Sequence, residues 1–499
     1  MRPVFGLALL LLAAPAPAAV EPPLDQAAIR GHIVYLADDT LEGRKPGTEG
    51  GDKAAHYIAQ QLSAAGLAPG GPDGSWYQPV PLVERTPLSV TQSWAGRDGP
   101  VELPMDSVQF TARDAQLKLD RAGVVFAGYG LDLPDQGFAD MRDADVRGKV
   151  VLLLSGRPDG VRDAPGLEVR RRAIAQAGAA AVIALTGASD PWEIIRDQLN
   201  RGRTTLADGI HAPLEGALAY KTWNMLARAG GEDPDMLVKA ASQPGFRTRA
   251  LDLTLDIDAR SQIRAFDSVN VIGRIAGRDR PDEAVLYLAH WDHLGLCRPA
   301  GAPDRICNGA VDNASGVALL IEIARRLKQG PSPRRSLYFV ATTAEESGLY
   351  GARMLVEKPP LPRDHIVAAI NLDTVAIGPA GEPVATIGRG RTPLDPLIDE
   401  ATRKQGRKID DSDAANAFIT RQDGWELLKA GIPAVMVGGA FSDAARLATF
   451  LAGDYHKPSD DLSHPIPLDG AAEDGALQVV VGRMLADPKK LPLQGKSGR

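Results

Sequence analysis

Only two of the 499 residues are cysteine and only eight are histidine. Two sulfurs fall short of a structural zinc site, which takes four ligands, and they exclude a disulfide-dense scaffold. Cys297 and Cys307 are expected instead to form one disulfide that closes a short loop, as an oxidising compartment favours. Blocks of like charge are absent: 56 Lys and Arg stand against 63 Asp and Glu, a net charge of −7. That pattern excludes the basic stripe of a nucleic-acid-binding protein and a polybasic membrane patch. The one basic cluster, Arg170-Arg171-Arg172, opens an expected helix and reads as a solvated face. The chain has no internal repeat and no GxSxG elbow of a serine hydrolase. Past the N-terminus it has no apolar run of the ~20 residues that a membrane span requires.

What is present begins with MRPVFGLALLLLAAPAPA. One arginine, an apolar core and the triplet Ala16-Pro17-Ala18 make a secretory signal peptide, residues 1–18, with cleavage after Ala18. Pro15 and Pro17 interrupt the apolar run, which is too short for an anchor. No cysteine follows the cleavage site, which argues against a lipoprotein. The expectation is export, to the periplasm or the medium. The remainder is long enough for two or three domains.

Residues 29–67 read as two helices around a Gly-rich turn, with Ala54, Ile58 and Leu62 at helical spacing. From about residue 105 to 250 the texture is strand, strand, helix, strand, with glycines at the turns. LDLTLDID, 251–258, alternates as a half-exposed strand does, and SVNVIGRIAG is expected as its partner. Beyond residue 283, strands (VLYLA, SLYFVATT, IVAAINL, IPAVMV) alternate with helical segments up to about residue 490. The fold class is therefore α/β: a mainly parallel, mixed sheet sandwiched by helices, with an inserted β-rich α/β domain. Residues 491–499 form a polar tail.

In such sheets ligands bind beyond the carboxyl ends of the strands. His290 and Asp292 follow VLYLA, and Asp312 precedes the next helix. Glu345 and Glu346 follow SLYFVATT, Asp373 follows IVAAINL, and DYHKPSDD supplies His456. Any one of these is unremarkable at a strand end. Clustered, their carboxylates repel unless a cation neutralises them. Imidazole and carboxylate without thiolate suit zinc, or else manganese or cobalt. Asp312, Glu346 and Asp373 together carry a charge of −3, which two divalent ions and one hydroxide balance.

HWDHLG, NGAVDNASG, TTAEESGLYGA, NLD and YHKPSDD, in this order, resemble the motifs of the two-zinc aminopeptidase family of metallo-exopeptidases, whose relatives include glutamate carboxypeptidases and glutaminyl cyclases. The resemblance implies the zinc exopeptidase fold, with a catalytic domain over 19–104 and 251–490. Residues 105–250 resemble a protease-associated domain through GYGL, GKVVLL and QAGAAAVI. It also implies a ligand set: His290 and Asp373 on one metal, Glu346 and His456 on the other, Asp312 bridging, and Glu345 as general base. Asp292 is expected to accept the other ring N–H of His290 and fix its tautomer. The implied activity is hydrolysis of N-terminal residues from peptides with a free N-terminus, driven by two divalent ions, zinc above all. No nucleic-acid partner and no membrane span are implied, and oligomeric state is not addressed.

Other residues have plainer readings. His293 falls outside the ligand pattern and reads as structural or as lining the rim; His464 reads as structural. Trp291 and Tyr455 are expected to pack around the site, Asp460 to steady the last loop, and Lys457 to be solvated. Two positions depart from the family: Val311 before the bridging aspartate, and Gln422-Asp423-Gly424 where Ser-Asp-His is common. Both alter the lining of the cleft, so substrate preference does not transfer. A carboxypeptidase would need arginines for the substrate carboxylate, with Arg389, Arg391 and Arg421 as candidates. A non-catalytic binding protein of the same fold is the remaining alternative.

Overall fold

The computed structural model describes residues 20–161 and 164–493. The expected signal peptide and the end of the tail, residues 494–499, lie outside the described residues. Helix α1 (Gln26–Leu36) begins at Asp25, whose carboxylate accepts the Ala27 N–H at 2.9 Å. Helix α2 (Glu49–Ala64) begins at Thr48, whose hydroxyl accepts the Gly51 N–H. Each cap satisfies one of the backbone donors that a helix start leaves unpaired.

A long strand, β1 (Tyr77–Gly96), leads into the second core. That core holds β2 (Val108–Ala112), β3 (Gln116–Phe126), β4 (Val150–Leu154), β5 (Ala181–Leu185), β6 (Arg203–Leu206) and β7 (Leu214–Leu218). Strand β8 (Arg249–Ile275) returns the chain to the first core. There β9 (Arg280–His290), β10 (Arg335–Thr342), β11 (Ile366–Asn371), β12 (Ala385–Ile387) and β13 (Ala434–Gly438) follow. Helices α3 (Gly316–Gln329), α4 (Tyr350–Glu357), α5 (Ala444–Gly453) and α6 (Asp469–Leu485) alternate with them.

The strands join one sheet in the order β12-β13-β11-β9-β10-β8-β3-β4-β5-β7-β2. Strand β9 pairs in parallel with β10 and β11, and β11 with β13, while β12 and β8 run antiparallel to their neighbours. The protein is thus α/β with a mixed sheet, parallel at its centre. Alternate residues of β9 serve opposite layers, as the period of a strand requires. Val285, Tyr287 and Ala289 pack with α1, α2, α3 and α6, whereas Leu286 and Leu288 pack with α4. Every residue of β10 and β11 is buried, and their centres, LYFVA and IVAAI, are unbroken apolar runs.

Two expectations need correction here. Residues 251–258 and 268–277 are not two paired strands. They belong to the single strand β8, which pairs with β1 along most of its length. The intervening ARSQIRAFD has no glycine, proline or asparagine to turn the chain. The first part of β8, Leu251 to Ala259, packs into the second core, and Val271 and Ile275 into the first. The arginine triplet is not a solvated face either. Arg170 is buried and donates to the carbonyls of Tyr129, Leu154, Pro165, Ser155 and Gly156. Arg171, also buried, pairs with Glu168 at 2.9 Å. Guanidinium forks serve carbonyls at strand ends that no helix or strand partner reaches.

Candidate metal centre

The crevice at the carboxyl ends of β9, β10 and β11 collects the expected residues. His290 is the last residue of β9, Asp312 lies in the irregular turn Ala310–Ser315 before α3, and Glu345 and Glu346 follow β10. Asp373 follows β11, and His456 sits in the turn after α5. His290 Nε2 lies 3.2 Å from Asp312 Oδ1 and 3.5 Å from Asp373 Oδ1. His456 Nε2 lies 3.3 Å from Asp312 Oδ2 and 3.0 Å from Glu346 Oε2. Asp312 thus offers one oxygen to each histidine. Glu345 Oε2 stands 4.0 Å from His290 Nε2, at the outer limit of contact.

These spacings fit cation ligands. Atoms bound to one zinc at 2.0–2.2 Å in a tetrahedron stand about 3.3 Å apart, and the four separations within the two clusters fall at 3.0–3.5 Å. Two buried polar atoms here, Asp292 Oδ2 and His293 Nε2, have no hydrogen-bond partner, and Glu346 Oε1, His456 Nε2 and His293 Nδ1 meet only one another's side chains and Asp312, as ion pairs without hydrogen-bond alignment. Stranding polar atoms is costly in a protein interior unless something else meets them. The donor set therefore fits divalent cations on chemistry and geometry alike.

Electrostatics agree. Burial by itself would lower the pKa of His456, but Glu346 and Asp312 outweigh it and raise the value to about 11. His290 is likewise raised well above the imidazole range by Glu345, Asp373 and Asp312, against the effect of burial. Burial works against Glu346 too, yet His456 and His293 hold its carboxyl down at about 2. Glu345 is the opposite case: burial, with Glu346 and Asp373 close by, raises its pKa well above the carboxylate range. The two adjacent glutamates are thus pushed in opposite directions by their surroundings. The cluster draws positive charge onto its imidazoles, which a metal cation would supply instead.

Three side chains depart from their expected roles. The Nδ1 of His290 faces the backbone carbonyl of Asp292 at 3.1 Å, with the Asp292 carboxylate 3.9 Å away. That carboxylate instead accepts the Glu345 N–H at 3.1 Å. Asp292 therefore fixes the backbone beneath the expected base rather than the imidazole. His293 is no rim residue: it is fully buried, and its Nδ1 lies 2.6 Å from Glu346 Oε1. With Asp312 and Glu346 it forms a second group of potential ligands beside His290, Asp312 and Asp373. Lys457 is not merely solvated: its ammonium caps the end of α5 on the carbonyls of Ala452 and Gly453. His464 is exposed.

The supports were mostly invisible in the sequence. Asp460 accepts the backbone N–H groups of Val311 and Asp312 at 2.8 and 3.0 Å, fastening the His456 loop to the Asp312 turn. Arg44, fully buried 246 positions before His290, donates to the carbonyls of Trp291, Leu36, Gly309 and Asn308. Gly309 is left-handed at φ 60°, and a Cβ there would strike the Asp312 carbonyl and the His293 ring. Ala344, Thr374 and His456 are also left-handed, at φ 54°, 51° and 60°. Such strain gathers at functional sites. The disulfide between Cys297 and Cys307 is present and clips the short strands Gly295–Leu296 and Ile306–Cys307.

A cavity of about 480 Å³ adjoins the cluster. Ile387, Phe418, Met436, Phe441, Leu447 and Leu451 give it an apolar wall, and Tyr455, stacked on His456 at 3.7 Å, closes one side. Arg421 lines it with no carboxylate within ion-pair distance among the described residues, whereas Arg389 is tied to Asp399 at 2.8 Å.

Residues 270–480 match peptidase family M28, and this span includes the whole ligand cluster. It is a family M28 peptidase domain. The chain is 33% identical over 181 residues to a probable glutamate carboxypeptidase of Arabidopsis thaliana, an alignment covering 35% of this chain and 23% of the relative. It is 31% identical over 172 residues to an aminopeptidase of Mus musculus, covering 32% and 21%. The chain thus spans less than a quarter of the length of these relatives. An aminopeptidase from Aneurinibacillus sp. strain AM-1 shares the fold with a TM-score of 0.55 and 18% identity, over 95% of this chain and 97% of that one.

Proposed function

We propose that this M28 protein is an exported, zinc-dependent aminopeptidase that removes apolar N-terminal residues from peptides. The observation that carries the reading is Asp312, buried between His290 and His456 with one carboxylate oxygen toward each. In this reading His290 and Asp373 would hold one ion, Glu346 and His456 the other, with Asp312 available to both. Divalent ions bound there would supply Lewis acidity to the scissile carbonyl and lower the pKa of the attacking water.

Glu345 performs the proton transfers. Its carboxylate takes the proton of the attacking water and then delivers it to the leaving amine. Its raised pKa suits it to hold that proton between the two steps. The Asp292 carboxylate anchors the Glu345 backbone, so the side chain is presented from a fixed point. Ile387, Phe418, Met436 and Leu447 offer the N-terminal side chain an apolar surface and exclude water around the reacting bond. Residues 1–18 serve as the export signal, and the second core, as a protease-associated domain, shapes access to the cleft.

The test is Glu345→Gln, assayed on leucine p-nitroanilide with parallel metal analysis. The variant should keep its metal and lose about 10²–10⁴-fold in kcat. Near-normal turnover removes Glu345 as the base. A carboxypeptidase is the second reading, favoured by the unpaired Arg421 in the cleft. An aminopeptidase cleaves C-terminally amidated peptides and spares N-acetylated ones; the carboxypeptidase does the reverse.

A further inference from the structure

A second cavity, of about 280 Å³, opens beside the antiparallel pairing of β6 with β1. Arg85 reaches it from β1, Arg113 from just past β2, Arg203 and Thr205 from β6, His211 from the turn before β7, and Glu215 from β7. These residues come from four strands yet converge on one opening.

Charge in its wall is unevenly matched. Arg203 is held by both Glu168 and Glu215, and Arg171 shares Glu168. His211 Nδ1 lies 3.3 Å from Glu215 Oε1. Burial would raise the Glu215 carboxyl, but Arg203 and His211 hold it at about 2, so it stays ionised and engaged. Arg113 pairs with Asp114 at 3.0 Å on the exposed side. Arg85 has no carboxylate within ion-pair distance among the described residues. Its Nε donates to the Arg113 carbonyl at 2.9 Å and its Nη1 to Thr205 Oγ1 at 2.6 Å. Burial pushes the Arg85 pKa down; Glu215 and Asp114 oppose that shift from beyond ion-pair distance, and Arg113 and Arg203 add to it. Four guanidiniums and three carboxylates leave one positive charge unmatched, on a half-buried side chain facing a cavity. Guanidinium, hydroxyl and imidazole together are the donors that recognise oxyanions.

We propose that this cavity binds a small tetrahedral oxyanion of the phosphate or sulfate type, with Arg85 as the principal ligand and Arg113 and His211 as secondary contacts. The carboxylates nearby do not oppose it, because Glu168 and Glu215 are already committed to Arg203. The site matters to the rest of the fold through β6. Leu206, at the end of β6, packs against Ala344 and Tyr350, which flank the turn carrying Glu345 and Glu346. An anion tying Arg85 to Arg113 therefore firms the strand pair against which that turn rests.

The experiment is a thermal-shift titration of the metal-loaded enzyme with sodium phosphate and with sodium sulfate, against chloride at equal ionic strength, for wild type and Arg85→Gln. Phosphate bound at the metal centre is common to both proteins and cancels. Wild type should show a saturable rise in Tm, with the midpoint at least tenfold weaker in Arg85→Gln. Response to both anions identifies a general oxyanion site, and response to phosphate alone a phosphate or phosphate-ester site. Equal titrations in the two proteins, or no rise over chloride, overturn the proposal. Should Arg85→Gln fail to fold, Arg113→Gln, at an exposed position, carries the comparison: an unchanged midpoint there overturns it as well.

Discussion

Replacing Arg44 by methionine should damage the first core more than any single change at the cleft surface. The side chain is fully enclosed, and its guanidinium donates to Trp291 O and Gly309 O at 2.7 Å, to Leu36 O at 3.0 Å, and to Asn308 O. Gly309 O retains the Ala314 N–H, so methionine strands three carbonyls: Trp291, Leu36 and Asn308. A buried acceptor left without a partner costs about 1–3 kcal/mol, and partial relaxation brings the total to about 3–5 kcal/mol, in the range seen when buried charge networks are broken. Burial lowers the Arg44 pKa to about 10, so it is charged at neutral pH, and Asp312, Asp460, Asp292 and Glu346 favour that charge. Lysine keeps the charge but brings three donors instead of five, so Arg44→Lys should recover only part of the loss. Urea unfolding followed by circular dichroism, with linear extrapolation, gives the difference. Metal analysis of the same samples should show weakened binding, because Trp291 and Gly309 flank the His290 and Asp312 backbones. A methionine variant within about 1 kcal/mol of wild type, with full metal content, would refute the reasoning.

His293→Gln removes the imidazole beside Glu346 Oε1 and should weaken the cation on the Glu346–His456 side by about 10–100-fold, leaving the other ion tight; calorimetric titration showing two unchanged sites counts against it. Without metal His290 and His456 carry protons at neutral pH, since their pKa values are raised, the latter to about 11. Metal must displace those protons, so affinity should rise with pH. Chelator competition at pH 6 and pH 8 reads the slope, and a flat or inverted one contradicts the charge argument. The disulfide closes a loop of sequence separation 10, and replacing Cys297 and Cys307 by serine should cost about 2–3 kcal/mol, read by urea unfolding with and without reductant. No loss there would mean that the loop is held by its other contacts.

The parts of the fold legible in the sequence were those written in periodicity and in side-chain chemistry. The apolar stretches VLYLA, LYFVA and IVAAI within β9, β10 and β11 announced a sheet covered on both faces, and the strand-end rule then located His290, Glu345, Glu346 and Asp373. Of the two readings of His293, structural or rim-lining, burial excludes the rim, and its contact with Glu346 was out of reach because spacing along the chain says little once a strand ends. Asp460 was expected to steady the last loop and does so, whereas Arg44 and Arg170 were illegible for a different reason. Their partners are backbone carbonyls, which have no signature in a sequence, and Arg44 meets its partners across more than 200 residues. The break assigned within β8 came from a change in hydrophobic pattern at about residue 259. That change marks where the strand passes from one core to the other, not where it stops.

The same supports explain why the site needs a cation for charge but not for shape. Strands β10 and β11 are buried at every position and cannot shift without breaking the sheet. Their ends hold Ala344 and Thr374 in left-handed backbone, a conformation costing of order 1 kcal/mol or more apiece. Asp460 and Arg44 then clamp the Asp312 turn through its backbone, so the carboxylate cannot swing away from its neighbours. A flexible acidic cluster would relieve its repulsion by spreading. This one is held in place, and its imidazoles take up protons instead, which is the electrostatic work that a divalent cation would take over.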